Sequence, residues 1–383
     1  MVLLEDSKTW ATMLQQNYAL QNVIAAVILL ALLVFVIWSF RDQRGQEVWR
    51  YVFKRKMASV SFFILCFFVV VGLLDSFLWR DAILDKNGHE TKSSNGDVIY
   101  ESKALSILDR MLTSIRINQE TTYSAPLADG QFTKNLEQDE DGKSVWVQKK
   151  LLFPGTHLLG TDAVGRDVLY IGLKGIRTAL IIGGFVTLLS VPIAILLGVI
   201  SGYFGKYIDV AIQFLYSTIS SVPFVLIAAS YILIKGANLF NLFLILGITG
   251  WPSLCRLLRG ETMKTRELDY VQGARALGAS HSRIIFRYVV PNIFHLALIT
   301  SVLSFSGLVL AESVLSFLKI GVGQDTHSWG NMINQANLEL AREPVIWWNL
   351  LGAFIFMMAL ILPANLFGDT LRDALDPKLR GQK

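Results

Sequence analysis

Five histidines, two cysteines and thirty acidic residues could supply metal or nucleophile chemistry, yet their placement assembles neither. His89, His157, His281, His295 and His327 are scattered, with no metal-ligand spacing. Cys66 and Cys255 lie far apart in or beside apolar stretches, which suits buried thiols rather than a disulfide framework. A phosphate loop would read G-x-x-x-x-G-K-[ST]. At Gly205-Lys206 the leading glycine is replaced by Ile200 and the hydroxyl residue by Tyr207, so this chain has no such loop. No nucleophile–base pair is recognisable either. The expectation is a protein that is not an enzyme by itself and that needs no cofactor and no metal.

One segment carries a different pattern, CRLLRGETMKTRELDYVQGARALGASHSRIIFRYVVPN (255–292). Its candidate docking residues are Glu267, Asp269, Tyr270, Val271, Gln272, Gly273, Ala274, Arg275, Ala276, Leu277, Gly278, Ala279 and Pro291. Asp269 stands near the start of a run of helix formers, where an acid suits the positive end of the dipole. Gly278 is expected to stop or bend that helix, and a second helix is expected to run on until Pro291. The small residues Gly273, Ala274, Ala276 and Ala279 would let another protein's groove approach closely. An amphipathic connector between two spans would satisfy the same spacing. A second single-residue candidate is Glu312, an acid near the outer end of an apolar span. It is a candidate for the pathway or a gate, with a hydrogen-bonded structural acid as the alternative.

The elements that must position these residues are apolar. Charge-free windows occupy 9–40, 57–74, 178–205, 210–234, 236–255, 288–311 and 344–368. Each is about 18 residues or longer, the length an α-helix needs to cross the hydrocarbon core. The chain carries 17% charged residues, against about 25% in a soluble domain. The fold expected is an all-α polytopic membrane protein with seven transmembrane helices. Val23–Phe40 reads as a retained helix rather than a cleaved leader, because it lacks a basic n-region and is too long.

Lysine and arginine orient the spans. With the N-terminus outside, the inner segments 41–56, 203–208, 256–287 and 369–383 hold eighteen of the thirty-five basic residues. The short outer segments hold only Lys8, Lys235, Lys319 and Arg342. The expectation is N-terminus out and C-terminus in the cytoplasm, and the net charge of +5 is a topology signal, not a nucleic-acid footprint. Between 80 and 150 lies a polar insert in which Ala104, Ile107, Leu108, Met111, Leu112 and Ile115 predict one amphipathic helix. The stretch 151–178, punctuated by Gly and Asp, is expected to form turns leading into an interfacial helix. Asp162, Arg166 and Asp167 are expected to make local turn and cap contacts there.

The inner segment resembles the coupling loop of ABC importer permeases, whose pattern is Glu-Ala-Ala, three residues, Gly, nine residues, Ile, one residue, Leu-Pro. Here Gln272-Gly273-Ala274, Gly278, Tyr288 and Val290-Pro291 keep that spacing. HLLGTDAVGRDVLYIGLKGIRTALIIG (157–183), AESVLSFLKIGVGQDTHSWGNMI (311–333) and GDTLRDALDPKLRG (368–381) are similar to the dipeptide, oligopeptide and nickel branch. The resemblance covers about 50–79 and 151–383. It implies a permease subunit in the bacterial cytoplasmic membrane that moves peptides or peptide-like solutes. The implied partners are a second homologous permease, two ABC ATPase subunits, an extracytoplasmic solute-binding protein and the bilayer, with no nucleic acid.

Departures from the branch are the extra helix Val23–Phe40, the long insert, Gln272 in place of an acid, and Phe214 and Ser217 where relatives commonly place Arg and Asp. The organisation expected is 1–40, an outer tail with the extra helix; 41–79, a basic inner linker and the first core helix; and 80–175, an extracytoplasmic insert and pre-span elbow. The permease core follows at 176–368, with the coupling loop at 256–291, and a cytoplasmic tail closes the chain at 369–383. The rival class is an ion-coupled secondary transporter or channel working without an ATPase. Such proteins bury ionisable residues at mid-membrane, and the middles of these spans carry no acid or base.

Overall fold

In a computed structural model, residues 18–83, 91, 99–101, 103–138 and 144–375 are described. The chain divides into two units, 1–47 with 66–177 and 48–65 with 178–383. It opens with α1 (Ala19–Arg41), α2 (Gln43–Lys54) and α3 (Lys56–Ser76).

In the first unit, Leu78–Trp79 (β1) pairs antiparallel with Leu105–Ser106 (β2). Ser106 opens α4 (Ile107–Met111) through a capping box: its hydroxyl accepts from Asp109 N, and the Asp109 carboxylate accepts from Ser106 N. A second short helix, α5 (Thr113–Ile117), follows. The single helix expected over Ala104–Ile115 is therefore two. The cap starts helical turns only at Ile107, and the Thr113 hydroxyl donates to Arg110 O at 2.6 Å, a local bond that competes with the helix ladder. Strands β3 (Asn135–Gln138) and β4 (Ser144–Val147) form an antiparallel hairpin.

The elbow at 157–167 consists of turns, without the interfacial helix expected before the third span. Asp162 accepts from Val164 N and Arg166 N and pairs with the Arg166 guanidinium at 2.7 Å. Asp167 accepts from Leu169 N and Tyr170 N. These bonds satisfy the first free amides of α6 (Val168–Phe204), one continuous helix of 37 residues.

The second unit contains α7 (Lys206–Ser221), α8 (Phe224–Lys235), α9 (Leu239–Thr249), α10 (Pro252–Arg266), α11 (Asp269–Ala276), α12 (His281–Ile284), a π-helical turn (Ile285–Val289), α13 (Val290–Phe317), α14 (Trp329–Glu339) and α15 (Trp348–Leu375). The window at 210–234 is not one straight span. It is the pair α7 and α8, bent by 79°. Pro223 has no N–H to continue the ladder and holds Val222 in an extended conformation, so the helix must break there.

The core gathers Val199, Leu254, Leu258, Ile284, Val289 and Ile293 in one cluster, and Ile182, Val186, Leu242, Leu246 and Leu315 in another. Leu188, Leu196, Phe354 and Leu362 face outward. Helices apolar on every side need an apolar surrounding, which a bilayer supplies. Among the described residues five helices are long and apolar enough to cross a membrane, or six if the bent pair is one span. The count of seven expected from the sequence goes beyond these helices.

Candidate partner-docking segment

Residues 256–266, expected in an inner loop, continue the helix α10. The chain then turns at Glu267 and Leu268 into α11. Gln272 closes this corner by donating to Arg266 O at 2.9 Å, while Arg266 Nε donates to Glu267 Oε1 at 2.8 Å. The amide at the position of the lost acid thus serves the segment's own geometry.

Val271 is the buried residue of α11, at 2% exposure, and it joins the core cluster beneath. Ala274 and Ala279 are half-buried. Asp269, Tyr270, Gln272, Gly273, Arg275, Ala276, Leu277 and Gly278 are exposed. Leu277 is 91% exposed, an apolar side chain left in the open at the helix end.

Gly278 terminates α11 at φ +81°. Ala279 N donates to Ala274 O, and Gly278 N to Arg275 O, both at 3.1 Å. This is the paired Schellman closure, in which a glycine takes the left-handed position. An added Cβ at Gly273 or Gly278 would meet nothing within 4 Å, so the chain itself leaves that surface free.

Ser280 then caps α12, accepting from Arg283 N. The second helix does not stop at Pro291 as expected. It runs from His281 to Phe317, with Pro291 at the first turn of α13 just after the π-helical turn. The wider turn relieves the clash that a proline ring makes with the preceding carbonyls. Pro291 is tied to α11 through its neighbour, since Asn292 Nδ2 donates to the Tyr270 hydroxyl.

Glu312 lies apart from this segment on α13, 1% exposed. Its Oε1 accepts from the Ser316 and Ser328 hydroxyls, both at 2.7 Å, and its Oε2 from Ser313 at 3.3 Å. That is the geometry of a hydrogen-bonded structural acid.

Sequence reasoning missed two ionic clusters. In the first unit, Lys174 Nζ contacts Asp75 and lies 3.0 Å from Asp109, which also accepts from the Tyr170 hydroxyl at 2.7 Å. Burial opposes ionisation of Asp109, but hydrogen bonds from Ser106 N, Tyr170 and Lys174 outweigh it and hold its pKa down to about 2. In the second unit, Arg259 donates from Nε and Nη2 to the two Asp209 oxygens at 2.5 and 2.7 Å, and Ser201 and Gln213 also donate to Asp209. Their only sequence signal was the position of Asp75 and Asp209 at the borders of apolar windows.

Residues 194–381 match the sequence profile of the family described as binding-protein-dependent transport system inner membrane component. The chain is 34% identical over 226 residues to the oligopeptide transport system permease protein OppC of Haemophilus influenzae, covering 59% of this chain and 72% of that protein. It is 40% identical over 230 residues to OppC of Mycobacterium tuberculosis, covering 59% and 78%. Among solved structures, a chain from the inward-facing MetNI methionine ABC transporter aligns with a TM-score of 0.41 at 16% identity, covering 53% of this chain and 93% of that one.

Proposed function

The chain belongs to the binding-protein-dependent permeases, multi-pass components of the inner membrane, and on that premise we propose that it carries peptides or peptide-like solutes across a bacterial cytoplasmic membrane at the expense of ATP hydrolysed by partner subunits. The relatives named for oligopeptide transport support this solute class. A second homologous permease completes the path, two ABC ATPases dock from the cytoplasm, and an extracytoplasmic binding protein delivers the solute. The basic residues concentrated in 41–56, 256–287 and 369–383 support an outer N-terminus and an inner C-terminus.

One observation carries the docking assignment. Helix α11 is pinned from below by Val271, while Gly273, Leu277 and Gly278 present a small and apolar surface that the chain leaves open. A cleft on the ATPase receives that surface by shape, since Gln272 offers no charge and is engaged by Arg266 O. Closure of the ATPases moves α11 as a lever and biases the spans between inward- and outward-open states.

The test is purification of the permease with its co-expressed neighbours, comparing wild type with Ala274→Trp and Gly278→Trp. The ATPase is expected to be lost from both variants. Should it stay bound, with its activity still stimulated by loaded binding protein, the docking assignment is wrong.

A further inference from the structure

Both flanks of the docking helix return to one short turn. On the leading side, Arg266 at the end of α10 donates from Nη1 to Gly202 O at 3.0 Å and Tyr203 O at 3.3 Å. On the trailing side, His281 at the start of α12 shares a hydrogen bond of 2.9 Å with the Tyr203 hydroxyl. The corner at 202–206 ends α6 and starts α7, so a displacement of α11 reaches it by two routes.

The last turns of α6 are also fixed to α10. A Cβ at Gly202 would lie 2.6 Å from Arg259 O, and one at Gly198 would lie 2.9 Å from Cys255 O, so α6 and α10 touch backbone to backbone through two small residues four apart. Beyond the turn stands Asp209, in the first turn of α7. It takes the fork of Arg259, with Ser201 and Gln213 filling its remaining positions. A bidentate guanidinium–carboxylate pair with further donors fixes direction as well as distance, and is stiffer than the apolar contacts around it. From Asp209, α7 runs on to the break at Val222–Pro223, where the pair bends by 79°.

We propose that the Asp209–Arg259 pair is the joint through which movement of the docking helix reaches the bent pair α7–α8. Asp209 and Arg259 act here as positioning residues, handing the motion of α10 to a helix whose break makes it the element free to pivot. The inference rests on the docking of an ATPase at α11.

The experiment uses the assembled transporter with Cys66→Ser and Cys255→Ala, and a single reporter thiol from Ser220→Cys, an exposed position near the break. A water-soluble maleimide labels that thiol with and without ATP plus vanadate. In this background, trapping is expected to change the labelling rate about tenfold. Asp209→Asn, which is close to isosteric, and Arg259→Gln should retain the ATPase and its hydrolysis yet hold the change to about twofold or less. The double variant should be no worse than either single one, as expected for two residues of one joint.

A full labelling change in Asp209→Asn with ATPase bound overturns the proposal, as does an unchanged rate in the reporter background. If Arg259→Gln does not assemble, Asp209→Asn decides alone. Absence of the ATPase from the reporter background itself sinks the docking reading, and the inference with it.

Discussion

Lys174 and Asp109, 65 residues apart in sequence, meet in a buried cluster where the ammonium lies 3.0 Å from the carboxylate. Asp75 and Ser106 complete the group, so one cation answers two acids drawn from α3 and α4. Removing that cation leaves two buried carboxylates facing one another. Lys174→Met is expected to destabilise the protein by about 3–5 kcal/mol, the range for breaking a buried pair at one partner. Thermal unfolding of the purified permease in detergent checks it; a variant as stable as wild type would show that the cluster is solvated.

The same cluster predicts a dependence on acid. The pKa of Asp109 is lowered to about 2 from an ordinary 3.8. A depressed carboxylate stabilises the fold above its unfolded pKa and loses that contribution as pH falls through its folded one. The stability difference between wild type and Asp109→Asn should therefore be constant above about pH 5 and shrink by on the order of 2 kcal/mol between about pH 4 and pH 2. Unfolding series across that window measure it, and a difference that does not vary with pH would refute the assignment.

These clusters also mark where the sequence was legible and where it was not. The apolar windows located the long helices because a charge-free run of sufficient length has few uses outside a bilayer. The helix at 269–276 and its glycine end were readable because Gly278, Gly273 and Asp269 act on their immediate neighbours. Asp75, Asp109 and Lys174 escaped notice because each ends or adjoins an apolar run, where a charge reads as solvated, and their pairing spans 65 and 99 residues. The partner of Asp209 is equally out of reach of local spacing. Arg259 sits fifty residues on, across the α6–α10 contact. The break at Pro223 was missed for another reason: hydropathy sums over a window and is blind to one missing amide.

Gly273 and Gly278 separate the stability of α11 from its use. Gly273 is helical with open space around it, so Gly273→Ala should stabilise the isolated permease by about 0.5–1 kcal/mol through helix propensity. The same methyl group would stand in the way of a closely fitting cleft, so ATPase retention should fall. Gly278→Ala forces a side chain into the left-handed region at φ +81°, costing about 1–2 kcal/mol and fraying the helix end. Unfolding and co-purification measured together check both; tighter ATPase binding by Gly273→Ala would contradict close approach at that face.

Glu312 offers a prediction in which two substitutions diverge. Three serine hydroxyls donate to its carboxylate in a site that is 1% exposed. Gln keeps a carbonyl to accept from Ser316 and Ser328, so Glu312→Gln should assemble and retain solute uptake. Ala leaves those hydroxyls without their acceptor, at about 1–3 kcal/mol for an unsatisfied buried group, and opens a cavity besides. Glu312→Ala should therefore lower the unfolding temperature and the yield of the complex, while uptake per assembled transporter changes little. If Glu312→Gln assembles normally but abolishes uptake, the charge itself is required, and the acid belongs to the pathway rather than to the packing of α13 against the Ser328 cap.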